Sequence, residues 1–471
     1  MSLLRKKVKS MKNCFRIFAG IFSVCLLFSA TACKKNIDQD SIVIQEPDVT
    51  PVETTEAPPP PEGEEIYWLA NYDINPTGGQ ERSVALTLFE DQFGGKITWI
   101  ECTADNKFDV LASRILGGEP VDMFPYEWDA VPNGVCKNQY EPLDDYLDLE
   151  DPIWDGMREA IDKFAYNGKH YVVPYTVSDP LLITYSRQMC QENGLADPYE
   201  LYQQGKWDWN QFMSMMQTFV QNGSDRYGIC GWFGQALMQS TGKTVIGFDG
   251  GQFTNNISDS SIESAENLLS EIKTKNLYAD GWYNHFPESH NILFYAMSDW
   301  SLGQSNAVNP DADLMAVPFP KSPYADQYYI SGNYAAKMLV KNSTKGNAVA
   351  KYIYCERLAQ TEPTYQTAAK QKAIIPETSA SGLTLSYLTD EQYDAIQSYK
   401  TDTVTVFDFG YGMGSTMYGE GDYTYETRGV MNNLADAILL YPEHAPSWAV
   451  LRESFSPVID EVITTYNTPV Q

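Results

Sequence analysis

One short stretch, Tyr126-Glu127-Trp128-Asp129, alternates aromatic rings with carboxylates. Hydroxyl-rich molecules present O–H groups that carboxylates and amides accept, and apolar C–H faces that lie against aromatic rings. Such sets therefore fit the binding of a polyhydroxylated ligand. Packing under a loop would use the same rings, and for Trp128 and Trp232 both readings stand. No local signature of catalysis accompanies these groups. Gly410-Tyr411-Gly412-Met413-Gly414 follows a possible strand over Val404 to Phe409, but Ser415 stands where a dinucleotide fingerprint needs its third glycine, and no helix follows. His285 and His290 are five apart without H-E-x-x-H around them, and no G-x-S-x-G elbow occurs. Glycoside hydrolysis needs only two carboxylates at the right separation, so with 62 acidic residues a secreted glycan-active hydrolase stays an alternative. No cofactor and no metal site is expected.

The elements that must hold these groups alternate between strand and helix. Ile66 to Ala70 reads as a buried strand, with Asn71 and Asp73 just beyond its carboxyl end, where open α/β sheets bind ligands. A helix over Glu81 to Phe93 stops at Gly94-Gly95, and Ile97 to Ile100 is the next strand. A second helix spans Phe108 to Leu116, and a strand ends near Phe124. Later, Asp208 is placed to cap a helix whose Trp209, Phe212, Met216 and Phe219 share one face. Tyr227 to Phe233 is a strand leading into an aromatic loop at Trp232, and Asp259 opens a helix with Ile262, Ala265, Leu269 and Ile272 inward. Between the two sets lies a turn at Asn167-Gly168, a strand His170 to Val173 and Pro174. Polar Thr176, Ser178 and Asp179 follow, then Pro180 and the apolar run Leu181 to Tyr185. That segment reads as extended chain crossing between two bodies, a hinge.

Asn167-Gly168-Lys169-x-Tyr171-x-x-Pro174, the apolar run ending at Tyr185, Gly194-Leu195-x-x-Pro198 and Trp207-x-Trp209-x-x-Phe212 occur in this order. Together they resemble the extracellular solute-binding proteins of bacterial ABC importers, in the carbohydrate branch that includes maltose-binding protein. The likeness runs from about Ile66 to the C-terminus. It implies an α/β chain with the two-lobed, type II periplasmic-binding-protein fold, its lobes joined by hinge crossings. Lobe one would comprise 66–175 and 318–376, with returns at Pro318-Phe319-Pro320-Lys321 and Pro376; lobe two would comprise 180–316 and 377–471. It further implies that Ala296-Met297 ends a strand that delivers Trp300 against a bound sugar ring, and that Tyr126, Glu127 and Trp128 line the cleft. Asn71, Asp73, Asp179, Trp232, Asp299, Asn333 and Arg428 complete the expected ligand contacts.

Length and charge agree with an exported, two-bodied chain. With 471 residues it exceeds one ordinary core. The formal charge is −29, and the first 32 residues hold six basic groups and no acid, which leaves −35 on the remainder. Such a surface repels nucleic acid and suits solubility; it also keeps open a cationic ligand such as a polyamine. Arg5 to Arg16 precede an apolar run, Ile17 to Phe28, of signal-peptide length, and Ser29-Ala30-Thr31-Ala32-Cys33 resembles a lipobox. Residues 1–32 are then a lipoprotein signal peptide and Cys33 the lipidated first residue, on the extracellular face of the cell membrane. The stretch 33–65, acidic and carrying Pro58-Pro59-Pro60-Pro61, reads as a disordered tether. The expected protein is a monomeric binding protein, not an enzyme, that hands a sugar to an ABC permease.

Overall fold

A computed structural model describes residues 64–76, 81–281, 283–289, 291–379, 381–419, 424–444 and 447–467. The expected signal segment, Cys33 and nearly all of the tether lie outside the described residues.

The chain builds two α/β lobes. In the first, a five-stranded sheet runs in the order Lys96–Glu101, Glu65–Ala70, Met123–Pro125, Lys337–Val340, Tyr140–Glu141. Glu65–Ala70 is parallel to both its neighbours, while Lys337–Val340 is antiparallel to Met123–Pro125 and Tyr140–Glu141. In the second, the order is Leu314–Pro318, Leu181–Ser186, Ile292–Ser298, Tyr227–Gly231, and only the last pair is parallel. Strand Ile292–Ser298 is buried at every residue because helices cover both faces of a central strand.

Local chemistry sets the element ends. The first helix starts at Val84 rather than Glu81, since the Ser83 hydroxyl accepts from Leu86 N at 3.1 Å and so fixes the N-cap there. Gly94 ends it at φ 63°, a left-handed conformation that glycine adopts without steric cost. Asp208 Oδ1 accepts from Gln211 N at 2.9 Å and opens helix Trp209–Gln221, which buries Trp209, Phe212, Met216 and Phe219 as its spacing predicts. Full burial of such side chains contributes about 1.5–3 kcal/mol each.

The hinge region differs in detail from the sequence reading. Asn167 and Gly168, both at positive φ, close a small hairpin between Ala165–Tyr166 and Lys169–His170. The strand expected over His170 to Val173 ends at His170; pairing resumes at Thr176–Ser178, which lies antiparallel to Asn333–Ala335. These two segments form a ribbon linking the lobes. Pro318 to Lys321 does not cross: Lys321 N donates to Trp207 O at 3.0 Å, and Trp207 Nε1 to Pro318 O at 2.8 Å. The return falls instead at Gly332 to Ala336, because the chain must first pair Tyr329–Ser331 with Val404–Val406. Helix Pro363–Ile374, which has no buried residue, makes the third passage, tied at Lys370 to Asp394 across 2.8 Å.

Candidate functional site

Register places the site residues. Lys337, which follows the ribbon, pairs with Pro125, the residue before Tyr126. Leu181, which leaves the ribbon on the other side, pairs with Ser298, the residue before Asp299. Both sheets therefore present these strand ends beside the same ribbon. Four large rings stand about two-fifths exposed there: Tyr72 and Trp128 on the first lobe, Trp232 and Trp300 on the second.

On the second lobe, Trp232 N donates to Ala296 O at 2.8 Å, holding Trp232 next to the strand that ends in Asp299 and Trp300. Asp179, at φ 48°, is close enough for its charge to act on Asp299. Burial pushes the Asp299 carboxyl up, the Lys400 ammonium 3.7 Å away opposes that shift, and Asp179 adds to it. Asp179, Trp232, Asp299 and Trp300 are thus brought together, and Asn333 pairs with Ser178 on the adjoining ribbon.

On the first lobe, Asn71 is exposed, and Asp73 accepts from both Asn75 N and Asn75 Nδ2 at 2.9 Å. Glu127 pairs with Lys107 at 2.5 Å. Asp129 is raised to about 6, first by burial and then by Glu127, and its Oδ1 has no partner among the described residues. Trp128 lies edge-on to Tyr411 and Tyr418, with ring centroids 5.3 and 5.4 Å away.

Two expected contacts point elsewhere. Tyr126 turns inward, packing 5.6 Å from Phe164 and 6.4 Å from Phe407, because the strand before it alternates faces. Arg428 pairs with Asp436 at 3.0 Å, with a side chain 12% exposed.

Sequence reasoning missed Lys337 and the Phe407 to Tyr418 segment. The Lys337 ammonium lies 5.1 Å above the Trp68 ring and 3.4 Å from the Tyr72 hydroxyl, steadying the ring on the cleft edge. Burial alone would lower Lys337, yet Tyr175, Tyr72 and Glu356 leave it above its ordinary value. The other segment bridges the lobes. Asp408, raised by burial to about 7, accepts from Gly410 N at 2.9 Å and from Ile246 N at 3.3 Å, while Gly412 packs under the Trp128 and Val131 carbonyls. Its glycine-aromatic composition was visible, but a single sequence does not say what a long-range loop covers.

This architecture is that of a two-lobed solute receptor. The family described as bacterial extracellular solute-binding protein matches residues 85–395, well over half the chain, and the chain belongs to it. The fold is shared with solved structures at low identity. One is the cyclic alpha-maltosyl-1,6-maltose binding protein of Arthrobacter globiformis, 11% identical, TM-score 0.60, covering 85% of this chain and 99% of that one. A second is the galacto-N-biose-/lacto-N-biose I-binding protein of Bifidobacterium longum, 11% identical, TM-score 0.57, with 86% and 98% covered. A third is UgpB of Mycobacterium tuberculosis in complex with glycerophosphocholine, 15% identical, TM-score 0.54, with 84% and 99% covered. No curated protein matches the sequence. Among the described residues, no helix is long and apolar enough to cross a membrane.

Proposed function

We propose that the chain captures a sugar or oligosaccharide between its lobes and passes it, chemically unchanged, to an ABC permease. The observation that carries this reading is the set of half-open rings, Tyr72 and Trp128 on one lobe and Trp232 and Trp300 on the other, interleaved with Asp73, Asp129, Asp179 and Asp299. Rings would stack on sugar C–H faces while the carboxylates accept hydroxyl protons. Contact with both edges favours the closed arrangement over the open one, which is the difference a permease would read. Lipidation at Cys33 would hold the monomer at the extracellular face of the cell membrane, with 33–65 as its tether and the ribbon Thr176–Ser178 with Asn333–Ala335 as pivot.

A cationic solute such as a polyamine is the second reading, favoured by the neighbouring Asp179 and Asp299 beside Trp300. Thermal shift with a panel of oligosaccharides and polyamines separates the two, since a ligand at 100 times its Kd adds about 2.7 kcal/mol of stability. Stabilisation by sugars and not by polyamines is expected, and polyamines alone would reverse the assignment. For the sugar that binds, Trp300→Ala should weaken affinity about two- to tenfold, from about 0.5–1.5 kcal/mol of ring contact, in calorimetric titration.

A further inference from the structure

Beside the hinge ribbon lies a crevice of about 790 Å3, which shares with the cleft-edge set described above only Lys400, the partner of Asp299. Its floor includes Val177 and Tyr334, cross-strand partners that the pleat directs away from the face of Ser178 and Asn333. One wall comes from helix Arg158–Lys163 of the first lobe, the facing wall from helix Asp390–Asp402, and helix Pro363–Ile374 spans the gap. The volume is that of an ordinary small-molecule site, about 300–1,000 Å3.

The charges on its walls are balanced, with four acids and four bases, in a chain of net charge −29. Three of the four bases are committed. Arg357 donates to the Ile153 and Tyr175 carbonyls at 2.7 and 2.9 Å, Lys370 to Asp394 at 2.8 Å, and Lys400 pairs with Asp299 at 3.7 Å. Lys163 has only the Thr405 carbonyl, at a long 3.5 Å, and among the described residues no carboxylate within 4 Å. Burial lowers its ammonium, and Glu159 offsets that only in part. A half-buried ammonium with unused donors, facing a polar cavity, is a seat for an anionic oxygen.

We propose that this crevice is a second binding site, for a small polyhydroxylated anion, a carboxylate- or phosphate-bearing monosaccharide. Its charge rests on Lys163 and its hydroxyls on the Gln397 amide and the Gln366 Oε1, since the Gln366 Nε2 donates to Gln360 O at 2.9 Å. Because the walls belong to both lobes, an occupant held by both shifts the lobe equilibrium by its differential affinity for the two arrangements.

The test is calorimetric titration of the purified full chain with glucuronate, glucose 6-phosphate and neutral glucose. At least one anion should bind saturably and at least tenfold more tightly than glucose, and which anion does so distinguishes carboxylate from phosphate. Lys163→Gln removes the charge, and Gln397→Trp narrows the crevice from the opposite wall; each should weaken that binding at least tenfold. Lys96→Gln, a surface cation on the first lobe, should leave it unchanged. Should Lys163→Gln fail to fold, Gln397→Trp decides alone. Failure of both anions to bind, or binding that survives a folded variant of either wall, overturns the proposal.

Discussion

Gly231→Ala is expected to lower the stability of the chain by about 3 kcal/mol or more, with a matching fall in the denaturant midpoint. Gly231 ends strand Tyr227–Gly231 at φ 93°, a region that side chains other than glycine's enter only with strain of about 1–3 kcal/mol. A Cβ there would also sit 2.2 Å from Ala296 O, and that atom belongs to the backbone of a fully buried neighbouring strand that cannot swing aside. The same carbonyl receives the Trp232 N–H at 2.8 Å, so relieving the clash would move the tryptophan on the cleft edge. Gly118→Ala is the control: φ is 66°, yet nothing lies within 4 Å of the added carbon, so only the conformational cost of about 1–2 kcal/mol applies. The gap between the two variants measures the backbone clash. Equal losses at both positions would show that Gly231 owes its place to φ alone. Should Gly231→Ala fold, its affinity for the cleft ligand should fall with Trp232→Ala, since both act on one ring.

The same corner shows how far sequence carried. A strand from Tyr227 and the glycine-tryptophan step were legible because apolar runs bounded by glycine or polar residues report local structure directly, whereas the Ala-Met strand end before Trp300 came from the family resemblance. Caps at Asp208 and Asp259 were legible for the same reason: an N-cap is decided within four residues. What sequence misplaced depends on pairing between distant segments. The return to lobe one moved from Pro318 to Gly332 because Trp207, more than a hundred residues earlier, holds Pro318 and Lys321 on the second lobe. Tyr126 read as a cleft ring beside Trp128, yet Tyr126 keeps the inward face of Phe124, two residues before it, and packs on Phe164, while Trp128 lies beyond the strand that ends at Pro125. The bridge from Phe407 to Tyr418 showed only its glycine-aromatic composition, because its shape is set by Asp408 reaching Ile246 and by Gly412 fitting beneath Trp128.

Glu266 should make the chain progressively less stable as pH rises, and Glu266→Gln should remove that dependence. The residue lies on helix Ser260–Thr274 with no exposed surface, and neither carboxyl oxygen has a hydrogen-bond partner among the described residues. Burial holds its proton well above the ordinary carboxylate range, and the charge of Asp436 adds to the effect. The sign follows from which state holds the proton. Above the unfolded value, about 4.3, the unfolded chain has released the proton while the folded chain keeps it, so folding is opposed by about 1.4 kcal/mol for each further pH unit. That loss continues until the folded carboxyl itself ionises. Below pH 4 both states are protonated and Glu266 is merely a buried polar group. Glu266→Gln keeps the shape without the proton, so the variant and parent should match at pH 4 and diverge above it, the variant being the more stable. Glu266→Met removes the unpaired oxygens as well and should be more stable at every pH, as replacing an unsatisfied buried polar group by an apolar one of similar size usually is. Urea unfolding of the three proteins between pH 4 and 8 reads both effects. Parallel profiles for parent and Glu266→Gln would mean that Glu266 is ionised in the folded chain and has found a counter-charge, and the assignment of its buried proton would fall.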